Sequence, residues 1–272
     1  SWMIRIGLFL YDRLGGKSSF EKSKFINLND HFKENPIKEN FISGYIYSDL
    51  YVDDSRLALL NAEDAMNRGA KIYLNTKIVK VLRDKNFWLI TLDSGEVLKS
   101  KVVVNATGPF AISVLNNIFK LKSNKKLRLV QGSHLVVKKI YEGDQAYILQ
   151  LDDKRIIFMI PYQNKYTLIG TTDHEVDNFE NPKITDEEKD YLIKSVNSFI
   201  KKEISESDIL WTYSGIRPLI EDNNQKASKV SRDYSFEVDD KDGAPIITIL
   251  GGKLTTYRKL SEQILKELNR YL

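Results

Sequence analysis

The residues Ile247-Thr248-Ile249-Leu250-Gly251-Gly252-Lys253-Leu254-Thr255-Thr256-Tyr257-Arg258 decide the fold of the C-terminal part of this chain. An apolar, β-branched run stops at two glycines and a helical pattern follows directly, which predicts a strand, a tight turn and a helix N-terminus. Glycine has no Cβ and lets backbone approach a ligand closely, and the first N–H groups of a helix favour an anion. The stretch predicts either a site for an anion or an electron-rich ring, or an ordinary strand-to-helix connection, and spacing alone does not separate these two readings.

The composition is that of an ordinary globular protein. The 272 residues are 42% hydrophobic and 29% charged, and the formal net charge is +4. Basic residues are dispersed among nearly as many acids, so an acidic substrate or a membrane surface fits the charge better than nucleic acid does. Cysteine is absent, which excludes disulfides and cysteine-ligated metals. His31, His134 and His174 lie too far apart in sequence for a metal motif, and no metal is expected.

Hydrophobic periodicity predicts a mixed α/β fold. Asp53-Asp54-Ser55 predicts the start of a helix that closes at Gly69, with its apolar residues facing a core. A second helix is predicted over 182–203, capped by Thr185 and Glu188. Residues 101–105 predict a strand covered on both faces, followed by a helix that begins at Pro109. Further strands are predicted over 44–52, 71–83 in two pieces, 87–92, 96–98, 127–137, 146–150, 155–160, 166–172, 209–219 and 234–238.

The beginning of the sequence has the pattern of the inside of a helix. Residues 1–14 are apolar at helical spacing, without a capping residue before them, and a polar, irregular stretch follows over 15–40. The chain is therefore expected to be a piece of a longer protein.

Several motifs occur in an order that resembles one enzyme family. The apolar strand over 101–105 runs into Ala106-Thr107-Gly108, which is similar to the second FAD-contacting motif of two-dinucleotide-binding-domain flavoproteins. The accompanying motifs are residues 4–12, Gly132-Ser133-His134, residues 169–173, residues 211–219, residues 231–234 and residues 251–258. As a set, they resemble FAD-dependent glycerol-3-phosphate dehydrogenase, the respiratory flavoenzyme, over nearly the whole chain.

This resemblance implies a domain organisation and a reaction. Residues 52–118 and 246–272 are expected to form an incomplete FAD-binding sheet-and-helix domain, and residues 1–51 and 119–245 a mostly antiparallel-sheet substrate domain. The implied reaction oxidises sn-glycerol 3-phosphate to dihydroxyacetone phosphate by hydride transfer to FAD, with electrons passed to quinone.

The sequence departs from the family pattern in three respects. The family opens with a strand-turn-helix that carries G-x-G-x-x-G and seats the FAD pyrophosphate, whereas the nearest cluster here, Leu14-Gly15-Gly16-Lys17, does not follow a strand. The family's N-terminal substrate arginine and C-terminal helical domain are also not found in this sequence. The chain is expected to be an incomplete enzyme.

Two arginines match the family's phosphate-binding positions. Arg217 and Arg232 suit a phosphate because a guanidinium group matches two phosphate oxygens at once. The alternative for each is a local ion pair, with Glu221 or Asp222 for Arg217 and with Asp233 for Arg232.

Other side chains are candidates for taking up the proton of the C2 hydroxyl and for hydrogen bonds to the substrate. The resemblance makes His134 the candidate general base for the C2 hydroxyl, since an unperturbed imidazole has a pKa of about 6.5. His134 can instead only hydrogen-bond the substrate or be a core histidine, and Arg217 or Lys253 can share the catalytic role. The hydroxyls of Thr171 and Thr172 can donate hydrogen bonds to the substrate, or the two residues can simply form a turn at a strand end.

The resemblance places FAD against three stretches of the chain. Reduced flavin carries negative charge, which the helix N-terminus and Lys253 would stabilise. The implied cofactor-binding residues are Ile78, Ala106, Thr107, Gly108, Gly251, Gly252, Lys253, Leu254, Thr255 and Thr256.

The last predicted helix bears on where in the cell the protein is expected to lie. Residues 255–272 predict an amphipathic helix with a basic polar side, which either packs on the core or helps the enzyme reach quinone at a membrane. The implied location is cytoplasmic and peripheral on the cytoplasmic face of the membrane, and a homodimer is allowed. Two alternatives stay open at this point: a glycerol-3-phosphate oxidase that uses oxygen, and a non-catalytic remnant or anion-binding fragment without FAD.

Overall fold

The computed structural model describes residues 2–14, 20–32, 34–177, 179–221 and 233–272. Helices and strands are interspersed, so the predicted mixed α/β class is confirmed. The α-helices are α1 Trp2–Leu14, α2 Leu28–His31, α3 Asp54–Asn67, α4 Ala111–Asn117, α5 Asp186–Asn197 and α6 Tyr257–Leu268. The strands are β1 Lys24–Asn27, β2 Ser43–Ile46, β3 Ile78–Arg83, β4 Trp88–Leu92, β5 Val97–Ser100, β6 Val103–Asn105, β7 Leu127–Lys138, β8 Tyr147–Gln150, β9 Ile156–Tyr162, β10 Tyr166–Gly170, β11 His174–Glu175, β12 Ile209–Ile220, β13 Tyr234–Asp239 and β14 Ile246–Gly251.

The chain divides into two compact units, each built from three segments. The first unit comprises Ser1–Leu57, His134–Thr171 and Ile184–Tyr213. The second unit comprises Ala58–Ser133, Thr172–Lys183 and Ser214–Leu272. The predicted domain boundaries fall at other positions and stay a prediction.

An antiparallel sheet with a helix against it forms the core of the first unit. Strand β10 pairs with β7 and β9, and β9 pairs with β8, all antiparallel. Helix α5 contributes Leu192 and Val196, and Ile200 follows shortly after the helix; all three are fully buried among the inward-facing residues Leu135 and Ile169 of the sheet. The capping box of α5 is confirmed, because Glu188 N–H donates to the Thr185 hydroxyl while Thr185 N–H donates to the Glu188 carboxylate. The helix ends at Asn197, earlier than predicted.

Two three-stranded sheets share the core of the second unit. One has the order β13-β14-β6, and the other is the antiparallel sheet β3-β4-β5. Trp88 lies between them, 1% exposed, with its indole N–H donating to the Pro245 carbonyl at 3.0 Å. The predicted hairpin around Asp93-Ser94-Gly95 is present, with Gly95 at φ +86°.

Two predicted strands differ from the structure. The strand predicted over 44–52 ends at Ile46, and its partner β1 lies in the stretch that was predicted to be irregular. Residues 71–74, predicted as a strand, form none, although 78–83 do so as β3. An alternating apolar pattern becomes a strand only where a neighbour takes up its main-chain hydrogen bonds, and no described strand pairs with residues 71–74.

Helix α3 lies where it was predicted but buries less than predicted. Its N-cap is confirmed, since Arg56 N–H donates to the Asp53 carboxylate at 3.0 Å. No described residue of α3 is buried, and Leu59 remains 67% exposed. Strand β6 is likewise not covered on both faces, because Val104 is 38% exposed. Helical or strand spacing identifies an apolar face, but it does not identify what covers that face.

Among the helices of the described residues, none combines the length and the apolar character that crossing a bilayer requires.

Candidate active site

Two parallel strands of the second unit end at the same edge of their sheet. Strand β14 pairs with β6 in parallel, with Ile246 opposite Val103 and Thr248 opposite Asn105. A turn and a helical segment follow each strand. In open α/β sheets, ligands bind outside the carboxyl ends of the strands, where such turns meet.

The turn after β14 depends on its two glycines. Gly251 and Gly252 have φ values of +72° and +117°, a region that side chains other than glycine rarely adopt. A Cβ on Gly251 would lie 2.7 Å from the Asp233 carbonyl oxygen and 3.3 Å from Ile220 Cγ1, so the close approach also requires a glycine. Gly252 and Lys253 are exposed, and the turn therefore offers bare backbone to a ligand.

The residues that follow these glycines form the start of the last helix. Lys253, Leu254 and Thr255 are exposed, and Leu254 to Thr256 form a 3-10 turn that leads into α6. The Thr256 hydroxyl donates to the Lys253 carbonyl at 3.1 Å. The helix N-terminus and the Lys253 ammonium group thus both lie at the end of β14, as the opening stretch predicts.

The turn after β6 is held by a buried amide. Asn105 is 3% exposed; its side chain donates to the Ala111 carbonyl at 2.9 Å and accepts from the Thr107 hydroxyl at 2.7 Å. Gly108 has φ +58°, and a Cβ there would meet no atom within 4 Å. Ala106 and Thr107 are exposed. These contacts fix a small-residue turn that leaves open space beside Gly108.

The remaining predicted cofactor residue has a core side chain. Ile78 begins β3 and packs on the cluster around Trp88, so any contact with a cofactor would involve its backbone.

Within the second unit, a buried hydrogen-bond network surrounds Ser133, which lies in the middle of β7. Ser133 is fully buried; its N–H donates to the Thr172 hydroxyl oxygen at 2.9 Å, and its hydroxyl lies 2.9 Å from that of Ser214. The Gln131 side-chain amide donates to Ser133 Oγ at 3.3 Å and to the Lys183 carbonyl at 3.0 Å. Thr172 is 4% exposed, a burial that supports its alternative role in a strand-end turn.

Arg217 of β12 lies beside an acid that the sequence did not single out. Its Nη1 donates to the Asp173 carboxylate at 2.6 Å and to the Thr172 carbonyl at 3.4 Å. Both charged side chains are about 30% exposed, at 29% and 30%. An ion pair of Arg217 is thus formed with Asp173, whereas the predicted alternative partners were Glu221 and Asp222, of which Asp222 lies outside the described residues. Partial exposure leaves the guanidinium within reach of a ligand.

In the first unit, His134 is held between an aromatic ring and a glycine. The imidazole stacks on the Tyr213 ring, with centroids 4.7 Å apart and planes inclined by 11°. Gly170 of β10 is the cross-strand partner of His134, and a Cβ on Gly170 would lie 2.2 Å from His134 Cδ2. The imidazole therefore occupies the space that a side chain at residue 170 would need. Thr171 follows directly in the chain.

The Tyr213 side chain is 44% exposed, and the surroundings of its phenol disfavour ionisation. Burial is the main cause that raises the pKa of Tyr213 to about 12, and Tyr162, Asp54 and Tyr51 add to it. The phenol is therefore neutral near pH 7.

Sequence reasoning missed Asp173, Tyr213 and the role of Gly170. A glycine inside a strand signals a close approach of another group, so Gly170 could have been found. Arg232, the second predicted phosphate ligand, lies outside the described residues. The roles predicted for Arg217, His134, Thr171 and Lys253 stay predictions, since the structure gives only their positions.

Comparison with known proteins gives the family context of these features. The family model described as FAD dependent oxidoreductase (DAO) matches residues 12–258. This span contains both turns at the parallel edge, the Arg217–Asp173 pair and the His134–Tyr213 stack.

Two similar curated proteins have names that state different substrates. The chain is 42% identical to a glycerol-3-phosphate dehydrogenase of Pseudomonas tolaasii over 98% of this chain and 53% of the relative. It is 39% identical to a D-erythritol 1-phosphate dehydrogenase of Brucella abortus over 97% of this chain and 54% of the relative. The predicted resemblance to glycerol-3-phosphate dehydrogenase is confirmed. The chain spans about half the length of the curated relatives it matches.

A solved structure shares the fold. The glycerol-3-phosphate dehydrogenase of Bacillus halodurans complexed with FAD superimposes with a TM-score of 0.71 at 28% identity, over 86% of this chain and 46% of that chain.

Proposed function

Because this chain belongs to the FAD-dependent oxidoreductase family, we propose that it serves in the FAD-dependent oxidation of a polyol phosphate, with sn-glycerol 3-phosphate as substrate and dihydroxyacetone phosphate as product. The observation that carries the proposal is the 42% identity to a glycerol-3-phosphate dehydrogenase across 98% of the chain. The geometry of the parallel edge supports it.

The residues at the edge formed by β6 and β14 fit a flavin. Gly251 and Gly252 leave a turn that no Cβ obstructs, Gly108 borders open space, and Ala106 and Thr107 are exposed. FAD, when bound, supplies the acceptor for the hydride that leaves C2 of the substrate. The residues that would hold it are those of the two turns, together with backbone near Ile78.

Arg217 and Arg232 bind the substrate phosphate in this proposal. For Arg217, binding means exchange of partners: the guanidinium gives up its 2.6 Å contact with the Asp173 carboxylate for phosphate oxygens. A dianionic phosphate competes well with one carboxylate, since it offers more acceptor oxygens and more charge.

His134 removes the proton from the C2 hydroxyl as the hydride leaves. Its Nδ1 is buried, so a proton that it exchanges with substrate passes through Nε2. The Thr171 hydroxyl is a further donor to the substrate, whereas Thr172 secures the turn by accepting from Ser133 N–H.

Lys253 and the N-terminus of the last helix stabilise negative charge that develops at the turn after β14. Main-chain N–H groups at a helix start and an exposed ammonium group both favour an anion. They give the turn a preference for the reduced, anionic form of its ligand.

A four-carbon polyol phosphate is the second candidate substrate. The observation that favours it is the 39% identity to D-erythritol 1-phosphate dehydrogenase, since both substrates share a phosphate next to a chain of hydroxyl groups. The ratio of kcat/KM for glycerol 3-phosphate and D-erythritol 1-phosphate decides between them.

Quinone as electron acceptor and a peripheral position on the cytoplasmic face of the membrane belong to the same proposal. They are supported by the basic residues Arg258, Lys259 and Lys266 of α6 and by Leu265, which is 56% exposed. Ile264 of the same helix is buried, so part of the apolar stripe packs on the second unit. A homodimer stays a prediction.

A titration with FAD and an acceptor assay test the proposal. Binding of FAD should appear as a saturable quench of flavin fluorescence. The loaded protein should then reduce a soluble quinone when glycerol 3-phosphate is added. Stoichiometric formation of peroxide instead of quinol would identify an oxidase. A protein that binds no FAD would support the non-catalytic alternative.

A further inference from the structure

Three residues on neighbouring strands of the first unit form a row across the sheet. Tyr213 lies on β12, His134 on β7 and Gly170 on β10. Strand β7 pairs with both other strands, so the middle position of the row belongs to His134. The Tyr213 ring stacks on the imidazole with centroids 4.7 Å apart, and the imidazole itself extends over Gly170.

The absence of a side chain at residue 170 sets the direction of the imidazole. A Cβ there would approach His134 Cδ2 to 2.2 Å and Nε2 to 2.7 Å. Such distances are far below contact, so any other residue would displace the ring. Gly170 therefore admits the imidazole but exerts little force to hold it.

The attraction that holds the imidazole comes from Tyr213. Parallel aromatic rings attract each other by dispersion and electrostatics when their centroids are 4.5–7 Å apart, and the His134–Tyr213 pair falls in this range. Tyr213 is 44% exposed, and it stands in strand β12, whose Trp211 packs edge-on against Tyr166 with centroids 4.9 Å apart. The stack thus connects the imidazole to β12, the strand that pairs with β7.

We propose that Tyr213 is a positioning residue for His134, whose aromatic ring fixes the plane of the imidazole and thereby the direction of Nε2. The inference rests on the proposed function, in which His134 receives the proton of the substrate hydroxyl. Proton transfer requires the acceptor nitrogen within hydrogen-bond reach and in line, so a ring that tilts away lowers the rate of the chemical step. The phenol hydroxyl is not needed for this role, since the stack involves the ring.

The substitutions that separate ring from hydroxyl are Tyr213→Leu and Tyr213→Phe. In the FAD-loaded protein, Tyr213→Leu is expected to lower kcat for glycerol 3-phosphate roughly ten-fold, with a smaller change in KM. Tyr213→Phe keeps the ring and is expected to restore most of kcat. Tyr45→Leu is the matched control, since Tyr45 pairs edge-on with Phe25 and its loss should change kcat by about two-fold or less.

A second readout does not depend on activity. The protein has three histidines, so the imidazole C–H region of its NMR spectrum is simple, and His134→Gln assigns the signal of His134. A stacked tyrosine ring shifts that signal upfield. The shift should vanish in Tyr213→Leu and persist in both Tyr213→Phe and Tyr45→Leu.

The outcomes distinguish this inference from the proposed function. If the His134 signal does not move in Tyr213→Leu, the stack is absent and the inference fails, whatever the activity. If the signal moves but kcat stays within about two-fold of wild type, or if Tyr213→Phe loses as much kcat as Tyr213→Leu, the ring does not position the base. If wild type, loaded with FAD, oxidises no polyol phosphate, the proposed function itself fails and takes the catalytic role of the stack with it.

Discussion

Arg217, to which we assign the substrate phosphate, stands in an ion pair. Its guanidinium is paired with Asp173 at 2.6 Å, and both side chains are only partly exposed. A partly exposed ion pair contributes little to stability, so we interpret the arrangement as one that keeps the arginine extended.

Substitution of Arg217 tests this interpretation. In the FAD-loaded protein, Arg217→Ala should lower kcat/KM for glycerol 3-phosphate by roughly 10- to 100-fold, mainly through KM, because charge-assisted hydrogen bonds to phosphate contribute roughly 1.5–3 kcal/mol. Asp173→Asn should lower KM, because phosphate then no longer competes with a carboxylate. Steady-state kinetics give both values.

The control for Arg217→Ala is Arg68→Ala, which removes an arginine that is likewise paired with an aspartate, here Asp64, but is largely exposed. It should leave KM near that of wild type. An Arg217→Ala protein with wild-type KM would remove Arg217 from the phosphate site.

Tyr213 makes a second prediction, on stability in alkali. Its folded-state pKa is raised from 10.0 to about 12, chiefly by burial. Between these values the unfolded tyrosine has lost its proton and the folded one has kept it, so the folded state binds more protons and the free energy of unfolding falls as pH rises.

Urea unfolding at a series of pH values between about 9 and about 12 measures this effect. Tyr213→Phe should show a smaller fall than wild type, and so should the positive control Tyr141→Phe, since burial also raises the pKa of Tyr141. Identical curves for wild type and Tyr213→Phe would show that Tyr213 ionises in the folded protein as it does in water.

Single residues were predictable from the sequence where type and context suffice. Arg217 stands in a strand between Gly215 and Pro218, and its presence in an ion pair was among the alternatives. Its partner could not be predicted, since Asp173 lies 44 positions away in sequence and is brought close only by the pairing of strands. Tyr213 was missed for the same reason, because sequence alone does not give the register between β12 and β7.

At the scale of elements, the turn after β14 combines two requirements for glycine at one residue. Gly251 has a positive φ, and a Cβ on it would lie 2.7 Å from the Asp233 carbonyl oxygen and 3.3 Å from Ile220 Cγ1. Gly95 has a similar φ of +86°, but a Cβ there would meet no atom within 4 Å. A comparison of substitutions at these two glycines therefore separates the cost of backbone strain from the cost of steric conflict.

Substitution by alanine should differ accordingly. Gly95→Ala is expected to reduce the free energy of unfolding by about 1 kcal/mol, which is the cost of a left-handed non-glycine residue. Gly251→Ala adds displacement of main chain and should cost roughly 3 kcal/mol, and it should also weaken FAD binding. Urea unfolding and an FAD titration measure the two effects.

Equal losses of stability for Gly95→Ala and Gly251→Ala would mean that the turn after β14 relaxes around a methyl group. In that case the close approach at Gly251 is not what requires the glycine.

Elements with strong local signals were predicted well. The capping box at Thr185, the hairpin at Gly95 and the strand-glycine-helix unit after β14 all depend on residues within one or two turns of chain. Elements that depend on distant partners were not. Residues 71–74 have a strand pattern without a described strand beside them, and α3 has an apolar face that no described residue buries.

At the scale of the whole molecule, sequence motifs identified the family while the structure contributed the geometry. The order of short motifs predicted the resemblance that the 42% identity confirms, because ligand-binding turns preserve residue types at fixed spacing. The division into units could not be derived from the sequence in the same way, since each unit consists of three separated segments. Such a division depends on contacts between distant parts of the chain.

Hydride transfer from a polyol phosphate to FAD is the proposed activity on which the other assignments depend. Anaerobic mixing of the FAD-loaded protein with glycerol 3-phosphate, followed by flavin absorbance in a stopped-flow instrument, tests it most directly, with glycerol as the control that lacks the phosphate. We predict that glycerol 3-phosphate bleaches the oxidised flavin band within the time of one catalytic turnover and that glycerol does not. Flavin that stays oxidised with saturating glycerol 3-phosphate and D-erythritol 1-phosphate, yet is bleached by dithionite, would contradict it.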